Sequence, residues 1–110
     1  MQITSVVLIF SYDYNNGQYL VLSVSEDEFV PINIPWMLDA SPDIKKVIGT
    51  QLNVNPNWLK PQVCDYFENT ETEFRIFYTL SFPQFLIKDF QWMTTKTMPT
   101  NWRNLLTAHH

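Results

Sequence analysis

Carboxylates are the side chains of this sequence that are best suited to chemistry, and two groups of them stand close together in sequence. An acidic triplet is formed by Glu26, Asp27 and Glu28, and a second polar stretch carries Glu68, Glu71 and Glu73. Paired carboxylates can act as general acid and base, and grouped ones can hold a divalent cation. In polar stretches, however, acids are ordinarily solvated surface groups. We expect solvated acids here, and therefore no catalytic residue and no metal site.

Nucleophilic chemistry has equally little support in the sequence. A serine, threonine or cysteine nucleophile needs a base beside it, and the two histidines are the last residues, His109 and His110. The one cysteine, Cys64, lies in an apolar run without a cation beside it, which favours a buried structural thiol. Two glycines, Gly17 and Gly49, cannot build a glycine-rich phosphate loop. We predict no catalytic triad and no cofactor.

Aromatic side chains are the remaining resource for recognition. Trp36 lies between Pro35 and Met37 in an irregular, proline-containing segment. Tryptophan and methionine bury large areas when they anchor an interface. We expect these three residues to contact a protein partner, and the acidic triplet to steer a basic partner toward them.

Composition limits the classes of protein to which the chain can belong. Its 110 residues suffice for a single domain, residues 1–110, with one core. The net charge of −4 argues against binding to a nucleic-acid backbone, which requires a basic face. The apolar run at residues 6–10 is too short for a signal peptide, and no run approaches the ~20 apolar residues of a membrane span. We expect a cytoplasmic protein in a reducing compartment, and leave its oligomeric state open.

The first third of the chain predicts a β-hairpin. Both alternating sets of side chains in residues 2–12 are apolar, which is typical of a strand that is buried on both faces. Asn16 and Gly17 form the strongest short hairpin signal, because both residues of a two-residue turn must adopt positive φ. Residues 19–25 return as the second strand.

The next segment predicts a helix. Residues 29–38 are expected to be irregular, since Pro31 and Pro35 lack donors. Ser41 suits an N-cap before Pro42. Apolar side chains then share one helical face: Ile44, Val47, Ile48 and Leu52. Gly49 costs about 1 kcal/mol relative to alanine inside a helix, which indicates a group packed closely against it. Asn53 suits the left-handed residue that ends a helix.

The second half predicts further strands and a last helix. We expect strands over residues 59–67 and 72–82, with one face of the latter solvated because its polar and apolar residues alternate. Residues 85–93 are expected to be a strand with a bulge near residues 88 and 89, and Thr100 to cap a short helix. Two tryptophans are expected to fill the core: Trp92 and Trp102.

The order of these elements predicts an α+β or α/β fold, a mixed β-sheet flanked by a central helix and a short C-terminal helix. This order resembles the Nudix fold over nearly the whole chain. The first hairpin is similar to the opening strands of the family. After it, Phe29-Val30-Pro31 stands where an aromatic residue and a proline lead into the Nudix box. Residues 48–54 resemble the end of the box helix. Residues 89–93, then Met98-Pro99 and Trp102, are similar to the late strand and closing helix of the family.

The resemblance also implies what the chain lacks. The Nudix box presents glutamates that hold magnesium on a diphosphate. Other residue types occupy the positions that correspond to the glutamates and arginine of the box: Leu38, Lys46, Val47, Thr50 and Gln51. A shifted alignment brings Asp39 or Asp43 closer, but never two acids on one helical face. We therefore predict a degenerate box without metal ligands, and no Nudix hydrolysis.

Two functions follow from these expectations. The first is a catalytically inactive Nudix-like domain that binds a protein partner as an assembly or regulatory module; its small size and few glycines also suit a viral protein. The alternative is a nucleotide-binding or nucleoside-diphosphate-cleaving domain whose acids come from elsewhere, for instance Glu26, Glu28 or Glu73. A small α+β interaction domain outside the family is a third interpretation.

Overall fold

The computed structural model of the chain describes residues 2–35, 44–62 and 66–107. These residues form a seven-stranded mixed sheet and two helices, so the α+β architecture predicted from the sequence is confirmed. The strands are β1 (Gln2–Asp13), β2 (Gln18–Ser23), β3 (Ile32–Pro35), β4 (Lys60–Gln62), β5 (Phe67–Asn69), β6 (Glu73–Ser81) and β7 (Gln91–Thr94). The helices are α1 (Ile44–Leu52) and α2 (Thr100–Thr107), with short 3₁₀ turns at Pro56–Trp58 and Thr95–Thr97. In the described ranges, neither helix has the length and apolar character that crossing a membrane requires.

The parallel pair β1 and β6 forms the centre of the sheet. Their register runs from Gln2 opposite Glu73 to Phe10 opposite Ser81. On the other edge of β1, β3 pairs with residues 4–7 and β2 with residues 10–13, both antiparallel. On the other edge of β6, β4 and β5 pair antiparallel with its two ends, and β7 extends the sheet beyond β2. Both central strands are therefore flanked by neighbours on each side.

Two apolar cores lie on opposite faces of this sheet. Val7 and Ile9 of β1 join the buried face of α1 in the first core, whose helical members are Ile44, Ile48 and Leu52. The alternate residues of β1 enter the second core with α2, which contributes Leu106. The prediction that β1 is buried on both faces is confirmed, and Trp92 and Trp102 pack against the first and second core respectively.

The prediction of a solvated face on β6 is wrong. Thr79, one of the polar residues expected to face water, is fully buried, and so is Phe77, the one apolar residue at an alternate position of that set. The reason is topological: β6 is a central strand, and α2 with Trp102 covers the face that a simple hairpin would leave open. Of the strand expected at residues 59–67, the described residues form β4 and β5, which both pair antiparallel with β6, and residues 63–65 lie outside the described ranges. Cys64 lies outside the described residues.

The loop between β1 and β2 differs from the predicted two-residue turn. Asp13 lies opposite Gln18, so the connection comprises residues 14–17, and within it only Gly17 has a positive φ, of 63°. The carboxylate of Asp13 accepts hydrogen bonds from the backbone N of Asn15 (3.1 Å) and from Nδ2 of Asn16 (2.7 Å). This side-chain capping stabilises a longer loop, in which Asn16 has no need of a left-handed conformation.

Two further segments depart from the expectations. Residues 29–38 were expected to be irregular, yet β3 forms between Pro31 and Pro35 as a short strand on β1. A strand of four residues is compatible with the two prolines, because Pro31 precedes β3 and Pro35 is its last residue. The strand expected at residues 85–93 is shortened to β7, and the chain turns at Asp89, whose φ is 69°, rather than forming a bulge.

The end of α1 confirms two predictions. Asn53 has a left-handed φ of 57°. The backbone N of Val54 donates to the carbonyl of Gly49 (2.9 Å), and that of Asn53 to the carbonyl of Thr50 (3.3 Å), a Schellman arrangement. A Cβ on Gly49 would lie 3.1 Å from Cγ of Pro56 and 3.1 Å from the carbonyl oxygen of Val54, so the glycine permits this close approach. Ser41 and Pro42 lie outside the described residues.

Replacing Asn53 tests this helix end. Asn53→Ala should lower the free energy of unfolding by about 1 kcal/mol, because alanine lacks the local hydrogen bonding that lets asparagine adopt left-handed backbone. Asn53→Gly should leave it unchanged or raise it, since glycine adopts positive φ without strain. Urea denaturation measures both. Equal losses in the two variants would contradict the explanation.

Candidate ligand-binding cleft

An open cleft of about 920 Å³ lies at the carboxyl ends of β1 and β6. The parallel pairing of the two strands stops there, at Phe10 and Ser81, while β1 continues to Asp13 paired with β2. In open sheets with parallel strands, this is where ligands commonly bind. The floor of the cleft is formed by Phe10, Ser11 and Ser81.

One wall of the cleft consists of tyrosines. Tyr12 and Tyr19 lie directly opposite each other in the β1–β2 register, with ring centroids 4.9 Å apart. Tyr14, from the following loop, packs edge-on against Tyr12 at the same distance, with an interplanar angle of 76°. Burial, together with the neighbouring hydroxyls of Tyr12 and Tyr14, raises the pKa of Tyr19. Tyr14 is 87% exposed, so this wall extends into solvent.

The opposite wall consists of Trp58 and two phenylalanines. The 3₁₀ turn that carries Trp58 is capped by Asn55, whose Oδ1 accepts from the backbone N of Asn57 (3.0 Å). The ring centroid of Trp58 lies 5.6 Å from that of Phe85 and 6.4 Å from that of Phe82. The Nε1 of Trp92 donates to the carbonyl oxygen of Phe85 (2.7 Å), which fixes the backbone of this wall.

The charge of the cleft comes from one side chain. Lys60 is the one charged group among the described residues that line it, beside Asn57, Pro83 and the serine hydroxyls of the floor. The cleft therefore suits a ligand that offers apolar or planar groups to the rings and a negative charge to Lys60. The many aromatic residues of the sequence indicate a recognition function. They do not show which rings form the cleft, because these rings come from four separate segments of the chain.

Those of the predicted partner-binding residues that the structure describes do not line the cleft. Glu26, Asp27 and Glu28 are exposed in the loop between β2 and β3 and do not line the cleft. The buried Ser23 organises this loop. Its Oγ donates a hydrogen bond to the carbonyl oxygen of Glu28 (3.0 Å) and accepts one from the backbone N of Val30 (3.0 Å). Pro35 is exposed at the end of β3, and Trp36 and Met37 lie outside the described residues.

The second carboxylate group is structural. Oε2 of Glu68 accepts from the hydroxyl of Tyr66 (2.7 Å) and from Nε1 of Trp102 (2.9 Å), which ties α2 to β5. Arg75 pairs with both Glu68 and Glu73, and Oγ1 of Thr4 donates to Oε2 of Glu73 (3.0 Å).

The expectation of solvated acids is therefore wrong for Glu68 and Glu73, which are half-buried, while Glu71 is exposed. The physical reason is Arg75, which lies opposite Glu68 in the β5–β6 register and two residues along β6 from Glu73, and compensates the charge of both carboxylates. The hydrogen bonds from Arg75 and Thr4 hold the pKa of Glu73 below its ordinary value. An ionised, fully bonded carboxylate of this kind is not poised for acid–base catalysis.

The exposed side chains of helix α1 are not the ligands that the magnesium ion of the Nudix family requires. Magnesium prefers carboxylate and water oxygens in an octahedral arrangement, whereas the exposed side chains of α1 are Lys46, Thr50 and Gln51. Across the described ranges, no three histidine, cysteine, aspartate or glutamate side chains come together as metal ligands. Asp39 and Asp43, the acids nearest to the box in sequence, lie outside those ranges.

Comparison with solved structures identifies the fold as Nudix-like. The crystal structure of C. elegans Ap4A hydrolase, a Nudix enzyme, superposes with a TM-score of 0.62 at 11% identity, covering 97% of this chain and 94% of that chain. A binary complex of C. elegans Ap4A hydrolase gives a TM-score of 0.61 at 9% identity, covering 97% and 93% of the two chains. No family model and no curated protein matches the sequence. At this identity the likeness shows the fold.

The ion pair at Glu73 predicts a dependence of stability on pH. Since the folded-state pKa of Glu73 lies below the ordinary 4.5, its ionised form stabilises the fold above that value, and the contribution is lost as the pH falls through the folded-state pKa. Between about pH 7 and about pH 3, the wild-type chain should lose more stability in urea than Glu73→Gln. Glu71→Gln, at an exposed site, should decline like the wild type. Parallel declines of the wild type and Glu73→Gln would contradict the assignment.

Proposed function

We propose that this chain is a non-hydrolytic Nudix-fold domain that binds a protein partner through the aromatic cleft. The observation that supports this proposal is the exposure of large apolar side chains around the cleft. Among the lining residues, Tyr14 is 87% exposed and Trp58 and Phe85 are 48% and 49% exposed; Leu86, which follows Phe85 in the chain, is 99% exposed. Contiguous exposed apolar groups mark interaction sites, and tryptophan and tyrosine are the residues that contribute most binding energy at interfaces.

The non-hydrolytic part of the proposal rests on α1. Cleavage of a phosphoanhydride by a Nudix enzyme needs magnesium to neutralise the charge that develops on the phosphates. The residues that correspond to the Glu-Glu pair are Thr50 and Gln51, which are neutral and cannot replace two carboxylates. The chain thus has the Nudix-like fold, but the side chains of α1 favour a binding role over catalysis.

A second contact region completes this proposal. Pro35 is exposed, and so are the three acidic side chains of the loop before β3. We propose that this loop, with Pro35, Trp36 and Met37, contacts a basic surface of the partner, because exposed acids steer association with positive charge. Pro35 and the three acidic residues do not line the cleft, where Lys60 is the charged side chain among the described lining residues.

A nucleotide is the second candidate ligand. Lys60 favours it, since a cation beside aromatic rings can hold a phosphate while the rings contact the base. The two candidates are distinguished by a thermal-shift panel of nucleoside mono- and diphosphates with and without magnesium. We expect no rise in Tm. A rise for the wild type that is absent in Lys60→Ala would support the nucleotide instead.

Hydrolysis assays test the loss of catalysis. The purified chain, incubated with magnesium and a panel of dinucleoside polyphosphates and nucleoside diphosphate compounds, should release product no faster than buffer, because α1 lacks carboxylate ligands. An active Nudix hydrolase run in parallel validates the assay. Magnesium-dependent product formation that rises in proportion to the amount of chain and co-purifies with it would contradict the proposal.

A further inference from the structure

The rings of the cleft form ridges rather than a flat slot. Neighbouring rings pack edge-to-face, with interplanar angles of 76° between Tyr12 and Tyr14 and 63° between Trp58 and Phe85. Each wall is therefore a stepped surface of inclined rings and not one flat face on which a planar base could stack. Ridged aromatic surfaces instead receive the rings of prolines, which project from a polyproline II helix at three residues per turn.

The walls also carry hydrogen-bond donors for such a peptide. Within the part of the chain that the structure describes, the indole N–H of Trp58 and the hydroxyls of Tyr12 and Tyr14 donate to no protein acceptor. The core tryptophans differ: Nε1 of Trp92 donates to the carbonyl of Phe85, and Nε1 of Trp102 to Glu68. A polyproline II segment has no internal hydrogen bonds, so its carbonyl oxygens are available as acceptors.

The charge of the cleft selects the flanking residues of the peptide. Lys60 is the one charged side chain among the described lining residues, and no carboxylate accompanies it there. An acidic residue of a ligand would pair with Lys60, whereas a basic residue would meet an unbalanced positive charge.

We propose that the cleft binds an extended, proline-containing segment of the partner that carries an acidic residue next to its prolines. The prolines lie between the tyrosine wall and the wall of Trp58 and Phe85. The acidic side chain pairs with Lys60. This inference rests on the proposed protein-binding function and specifies the segment that the cleft recognises.

Calorimetric titration of the whole chain with synthetic peptides tests the proposal. The probe is a peptide of about ten residues, long enough for three polyproline II turns, with prolines interrupted by glutamates. One control peptide replaces every proline by alanine, and another replaces each glutamate by lysine. We expect the proline–glutamate peptide to bind, the alanine peptide not to bind, and the lysine peptide to bind at least several-fold more weakly.

Variants localise the binding. Trp58→Ala should weaken binding of the proline–glutamate peptide by about tenfold or more, as expected for a central aromatic anchor. Lys60→Ala should remove the preference for glutamate over lysine while retaining the need for proline. Phe67→Ala, which removes a 61% exposed ring on β5 that does not line the cleft, should leave binding unchanged. Should Trp58→Ala prove unfolded by its urea midpoint, Tyr14→Ala, at a highly exposed site, serves in its place.

Four outcomes overturn the inference: no binding of the proline–glutamate peptide, equal binding of the proline and alanine peptides, affinity unaffected by loss of the cleft rings, or Lys60-dependent binding of nucleoside monophosphates without peptide binding. The proposed function fails separately. If the proline peptides do not bind but a purified protein partner does, and Trp58→Ala abolishes that binding, protein recognition by the cleft stands and only the identity of the segment is wrong.

Discussion

The parallel pairing of β1 with β6 is the interaction on which the rest of the structure depends. Because it occupies one edge of each strand, every other strand attaches to the outer edges of this pair or beyond it. Parallel strands cannot be joined by a tight turn, so the long connection between them supplies β3, α1 and the 3₁₀ turn that carries Trp58. Because the two strands run parallel, their carboxyl ends lie at the same end of the sheet, where their pairing stops at Phe10 and Ser81, and the cleft lies at this end.

Much of this fold could be predicted from local patterns, and the failures have a common cause. The two apolar faces of β1, the helical face of α1 and the left-handed Asn53 follow from residue types and periodicity. Thr79 was misassigned because alternation along a strand reports polarity and not which neighbours cover it. Solvation of Glu73 was misjudged as well: its partner Arg75 is two residues away, but its second partner, Thr4, lies on β1, far away in sequence. Local signals specify elements, and pairing between distant segments decides which side chains are buried.

The candidate site follows the same rule. An excess of aromatic residues is visible in the sequence, but its meaning depends on Tyr12, Tyr19, Trp58 and Phe85 meeting at one end of the sheet. A fold does not fix an activity, which depends on the side chains that a site presents. Here α1 presents lysine, threonine and glutamine where the family implies carboxylates, while the cleft presents exposed rings and Lys60. These residues direct the proposed function from phosphoanhydride chemistry toward recognition.

The central claim is that ligands engage the cleft and not α1. Amide chemical-shift mapping by NMR tests it most directly, with the isotopically labelled chain titrated first with a proline–glutamate peptide and then with magnesium and a nucleoside diphosphate. We expect the peptide to shift amides at residues 10–19, 57–60 and 81–86, and magnesium with nucleotide to leave the amides of α1 unchanged. Magnesium-dependent shifts concentrated on residues 44–52, with the cleft unaffected by either ligand, would contradict the claim.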